Sequence, residues 1–98
     1  MQVSLHARFR VASGLLWEAD AEERRCYIYS RRQKDFFSLE GVGYLVWAGV
    51  LSRLTVGQIL KKVAARRPMN GSVDPGQDVF ELLSDLERRG FIGEMRVP

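Results

Sequence analysis

The chain has one histidine, His6, and one cysteine, Cys26, and these two residues limit the chemistry it can carry. A structural zinc site takes four cysteine or histidine ligands, so this sequence cannot assemble one within a single chain. Cys26 lies in the apolar run "RCYIYS" with no helix start beside it to stabilise a thiolate, so it reads as a small buried hydrophobe. His6 sits among alternating residues in "SLHARFRVA" and reads as an ordinary strand or surface residue. The glycines of "EGVGYLVWAG" are not followed by the Lys-Ser or Lys-Thr pair of a phosphate-binding loop. Gly41 and Gly43 are better read as allowing close backbone packing where a strand hands over to a helix. The acids of "DAEERR" adjoin arginines and read as a solvated turn, and no general acid-base pair stands out. The expectation is a protein without catalytic residues, metal site or cofactor, and not an enzyme.

The elements that would position these residues follow from periodicity. Leu5, Ala7, Phe9 and Val11 alternate with polar residues, the period of a half-buried strand. After the Ser13-Gly14 turn signal come "LLWEAD", "RCYIYS" and "DFFSL", separated by the charged "AEER" and the basic "RRQK". These spacings predict an antiparallel meander over 14–39. Beyond Leu39 the period becomes helical. Val42, Leu45, Val46 and Val50, with Trp47, give one apolar face over 40–51. Thr55 and Gln58 stand in capping-box positions for a second helix with Val56, Ile59, Leu60 and Val63 on its buried face. "PMNGSVDPGQ" is a loop by composition, and Asp74-Pro75 would open a third helix over 75–89. Its core stripe is Val79, Leu82, Leu83 and Leu86. Gly90 is placed to end it in a left-handed cap, and "FIGEM" to return as a short extended segment.

A chain of 98 residues, 46% hydrophobic and 28% charged, suits one globular domain over 1–98. A lone cysteine allows no internal disulfide, no run approaches the roughly 20 apolar residues of a membrane span, and "MQVSLHARFRV" lacks a signal-peptide core. A cytoplasmic location is the natural expectation. The net charge of +3 permits an acidic partner without demanding one.

Taken jointly, "FFSLEGVGYLVWAGVLSRLTVGQILKKV" and "DVFELLSDLERRGFI" resemble the PqqD-like family. Leu39, Val42, Gly43 and Trp47 match, in order and spacing, its strand-to-helix motif; Thr55, Val56 and Ile59 match its next helix start. Asp78, Val79, Leu82, Leu86, Gly90, Phe91 and Ile92 resemble its last helix and ending. The likeness spans 15–92. It departs at Glu40, where the family has Asn, at Tyr44, where it has a small residue, and at Gln58, where it has Glu. Residues 1–13 lie outside as an extra strand or an arm.

The resemblance implies an α+β, winged-helix-like domain: a three-stranded antiparallel sheet followed by a three-helix bundle. It also implies a RiPP recognition element, which binds the leader of a ribosomally synthesised precursor peptide and passes it to a modifying enzyme. That enzyme would be a radical SAM enzyme, as in quinone-cofactor synthesis, or a leader peptidase, as in lasso-peptide assembly. By position, Asp35, Phe36, Phe37 and Ser38 would form the edge to which the leader adds as a strand, with Phe80, Leu83, Ser84 and Glu87 along the helical groove. The competing reading is a winged-helix DNA-binding protein. Asp78, Glu81, Asp85 and Glu87 on the would-be recognition helix oppose it, because phosphate-facing surfaces need cations. A generic protein-interaction module is a third reading, with some other ligand.

Overall fold

The computed structural model describes residues 4–66 and 75–95. Strand β1 (Arg8–Val11) is followed by the meander β2 (Leu15–Asp20), β3 (Arg25–Ser30) and β4 (Asp35–Glu40). Helices α1 (Val42–Leu51), α2 (Val56–Arg66) and α3 (Pro75–Arg88) come next, and β5 (Ile92–Met95) closes the order. The α+β architecture, a three-stranded antiparallel sheet leading into three helices, is the one expected.

The meander is antiparallel in the order β2-β3-β4, with Leu15 opposite Ser30, and Ser30 opposite Asp35. Its two hairpins turn alike. Asp20 Oδ1 accepts from the backbone N–H of Glu22 and Glu23 at 3.0 and 3.2 Å, and Ser30 Oγ accepts from that of Gln33 at 3.2 Å. Each turn then ends on a residue with positive φ, Arg24 or Lys34, which brings the chain back into register. The acids of "DAEERR" thus shape a turn.

The sheet packs its inner face on the helices. Cys26, Ile28 and Ser30 are buried, while Tyr27 on the other face is exposed. Cys26 is a sealed small hydrophobe, and its burial pushes the thiol pKa up to about 11. Val46, Trp47 and Val50 of α1, Val56, Ile59 and Val63 of α2, and Val79, Leu83 and Leu86 of α3 complete one core. Each such side chain removed from water contributes roughly 1.5–3 kcal/mol before entropy is counted.

The capping box forms as read: Gln58 Oε1 accepts from Thr55 N–H at 2.9 Å, and Thr55 Oγ1 accepts from Gln58 N–H at 3.2 Å. The amino-terminal segment completes that cap, since the Ala7 and Leu5 carbonyls accept from Val56 and Gly57 N–H, both at 2.9 Å. Gly90 has φ +80°, the left-handed cap foreseen for α3. Asp74, the expected cap residue of α3, lies outside the described residues.

One reading is corrected, and of the two alternatives for residues 1–13 the extra strand is the one found. Gly41 does not permit close packing, since nothing lies within 4 Å of where its Cβ would be; it is needed for φ +59° at the start of α1. Close packing is the role of Gly43, whose Cβ would stand 3.2 Å from Leu39 Cβ. The segment 1–13 is no free arm over its described part: β1 pairs antiparallel with β5, Arg8 opposite Met95 and Val11 opposite Ile92. Phe9, Phe91 and Ile92 are buried with it.

Candidate functional site

Strand β4 stands at one edge of the three-stranded sheet, paired with β3 on one side and with no other described strand. Its hydrogen-bonding phase can be read from one contact. Phe36 N–H donates to Asp35 Oδ1 at 2.8 Å, so it is not spent on β3. In an antiparallel strand the N–H and C=O of one residue point to the same side, and the side alternates. Asp35, Phe37 and Leu39 therefore bond to Ser30, Ile28 and Cys26 of β3. Phe36, Ser38 and Glu40 turn their backbone groups to the open edge.

Side chains alternate as well. Phe37 and Leu39 face inward and are half-buried, whereas Phe36, Ser38 and Glu40 face away from the helices and are exposed. Phe37 is fully engaged: its ring meets Phe91 edge-on at 4.8 Å, and the Arg89 guanidinium sits 4.9 Å over its face. Phe36 is 72% exposed, leaning on Tyr29 with ring centroids 4.9 Å apart. At the far end of the strand Glu40 Oε2 meets Arg25 at 2.8 Å. The Arg25 pKa is raised by Tyr27 first and then by Glu40. This pair is solvent-exposed and adds little stability.

The end of α3 is tied to the start of β4. Asp85 Oδ2 accepts from Arg89 Nε at 3.0 Å, holding the guanidinium over Phe37, while the Arg89 carbonyl accepts from Gln33 Nε2 at 2.9 Å. Along α3 the buried stripe is Val79, Leu83 and Leu86. Of the four helical residues expected to line a groove, Leu83 has no exposed surface and belongs to that stripe. Phe80, Ser84 and Glu87 are half-buried on one flank of the stripe, and Leu82, Asp85 and Arg89 follow the other. A shallow concavity of about 620 Å³ on the outer side of the helix is lined by Phe80, Leu82, Ser84 and Asp85, together with Asp78, Glu81 and Arg88. The structure thus gathers Phe80 and Ser84 there, and brings Asp85 and Arg89, which sequence reasoning passed over, to β4. Their i,i+4 spacing was a readable signal of a helical ion pair, but the approach to Phe37 joins segments more than 50 residues apart and leaves no local trace.

No group of three or more His, Cys, Asp or Glu side chains able to hold a metal occurs among the described residues. Nor is any described helix long and apolar enough to cross a membrane.

No family model matches the chain, and no curated protein does. Among solved structures the chain is similar to TbiB1, determined in complex with the TbiA(beta) leader peptide, with a TM-score of 0.71 over 90% of this chain and 99% of that one. The chain shares the fold of TbiB1. Identity with TbiB1 is 14%, so what is shared is the backbone path. This fold accounts for the strand-to-helix handover at "DFFSLEGVGYLVW": β4 ends at Glu40, Gly41 turns the chain, and Trp47 reaches the core from α1.

Proposed function

We propose that the chain binds the leader of a ribosomally synthesised precursor peptide by β-strand addition and presents it to a modifying enzyme, such as a radical SAM enzyme, or to a leader peptidase. The observation that carries this reading is the open edge of β4, where the backbones of Phe36 and Ser38 have no strand partner among the described residues, within a fold also found in a leader-peptide complex. An added strand satisfies those donors and acceptors, and side-chain contacts supply selectivity. Asp35, Phe36, Phe37 and Ser38 form the edge. On α3 the groove wall is assigned to Phe80, Ser84 and Glu87, with Leu83 buried behind them, while the flank that Arg89 ties to Phe37 of β4 is that of Leu82 and Asp85. The isolated protein is expected to leave the precursor chemically unchanged, its part being capture and presentation. DNA binding is disfavoured by the acids Asp78, Glu81, Asp85 and Glu87 along α3.

The test is calorimetry with synthetic leader peptides, taken from whatever short open reading frames adjoin this gene. Losing one desolvated aromatic contact typically costs about 2 kcal/mol, so Phe80→Ala should bind about thirtyfold more weakly with its thermal melt unchanged. Ser38→Pro, which removes a donor from the open edge, should weaken binding at least as much. Parent-like binding by a folded Ser38→Pro variant rejects strand addition at β4. Parent-like binding by Phe80→Ala alone moves the wall to the flank of Leu82, Asp85 and Arg89.

A further inference from the structure

The two aromatic rings of β4 are in opposite situations. Phe37 points inward and has both its edge and its face occupied, by Phe91 and by Arg89. Phe36 points outward, is 72% exposed, and rests on Tyr29. The outer sheet face around it is apolar at this end. Leu16, 50% exposed, lies opposite Tyr29, and Tyr29 lies opposite Phe36, so the three form one row across β2, β3 and β4. The row ends abruptly at the open edge. Its other end of the sheet differs, with Asp20, Arg25 and Glu40 in the corresponding row.

Any strand added to β4 must continue these rows, because alternate side chains of the newcomer fall on the outer face whatever its direction. The residue opposite Phe36 would be the fourth member of the Leu16–Tyr29–Phe36 row, beside the one ring of β4 with a free face. We infer that the leader is read on the outer face of the sheet as well as on the inner one, and that its residue opposite Phe36 is a large aromatic or branched apolar side chain. This rests on the strand-addition reading above and adds the chemistry of one leader position. Cross-strand pairs of aromatic and β-branched residues are favourable beyond their backbone bonds. The backbone of Phe36 faces the same edge, its carbonyl open to an added strand and its N–H held by Asp35 Oδ1, which the newcomer would have to displace.

The experiment uses a displayed library of random twelve-residue peptides, selected in parallel against the parent, Phe36→Ala and Ser38→Pro, each checked by thermal melt. Peptides enriched on the parent should share one position restricted to aromatic or branched apolar residues. Alanine at that position should cost about fivefold in affinity for the parent and nothing measurable for Phe36→Ala. The inference is overturned if that restriction survives in selections on Phe36→Ala, although strand addition would then stand. If folded Ser38→Pro enriches the same peptides as the parent, strand addition itself fails and the inference with it. A parent dimer in sedimentation that Phe36→Ala dissociates would assign the ring to a second copy and overturn it too.

Discussion

The phase of the β4 ladder can be tested without any ligand, by placing proline at two adjacent positions. Phe37 bonds to Ile28 of β3, so Phe37→Pro removes a ladder bond, a net loss of about 1 kcal/mol, and strands its acceptor. It also removes a half-buried ring that meets Phe91 at 4.8 Å and lies under Arg89 at 4.9 Å, worth up to about 3 kcal/mol. The sum is about 4 kcal/mol. For a domain of this size each kcal/mol lowers Tm by roughly 4–8 °C, so Phe37→Pro should melt about 15–30 °C below the parent or fail to fold. Ser38→Pro has an exposed side chain to lose and an N–H that points to water. Proline is tolerated at such edge positions, so its cost should stay within about 1 kcal/mol, a shift of about 8 °C or less. Phe37→Ala serves as the control, removing the ring but keeping the donor. Melts followed by far-UV circular dichroism give all four values. If Ser38→Pro melts as low as Phe37→Pro, the ladder runs in the opposite phase and the open edge belongs to Asp35, Phe37 and Leu39.

Trp47→Ala empties the centre of the core and should cost about 3–5 kcal/mol in urea unfolding, whereas no loss would mean that the tryptophan is not central. In Gly49→Ala the new Cβ would stand 2.6 Å from Ile59 Cγ1, so α1 and α2 must separate. The overpacking costs about 1–3 kcal/mol, offset by about 1 from helix propensity, so a net loss should appear in the same assay and shrink in the Ile59→Ala background, which removes Cγ1. For Cys26, the folded pKa of about 11 lies above the ordinary 9.0, so the folded state keeps its proton where the unfolded chain loses it. The associated stability is fully present below pH 9 and is lost as pH rises from about 9 to about 11. A thiol-reactive disulfide reagent at pH 8 should label Cys26 only in denaturant; prompt labelling of the folded chain would refute the burial.

Much of the architecture was legible because it is written in local periods. The alternation of "RCYIYS" and the three-and-four spacing of Val42, Leu45, Val46 and Val50 give β3 and α1, and Thr55 with Gln58 marks the start of α2 within a residue. The pairing of β1 with β5 was beyond such signals. "FRV" and "FIGEM" are short, and only the closed tertiary structure brings their registers together. Gly49 carries no local signal inside α1; its reason for being glycine is Ile59, on a different helix. The site divides in the same way. That β4 offers an edge follows from its place as the last strand of a meander, but which α3 flank approaches it depends on Arg89 reaching Phe37, a contact between distant segments. The opposite fates of Phe36 and Phe37 were half visible: alternation says that they diverge, and only packing says which one is left open.

The antiparallel register of β1 with β5 has a mechanical meaning. Arg8 lies opposite Met95 and Val11 opposite Ile92, so the two outer ends of this small ribbon emerge side by side. A pull applied through them opens the ribbon like a zipper, one rung at a time, where a pull along the strands would have to shear all its rungs together. The ribbon shares no strand with the β2-β3-β4 sheet. A pull through both ends would first strip the Leu5 and Ala7 carbonyls from the α2 cap and then open the ribbon, and it would reach β4 through the contact of Phe91 with Phe37.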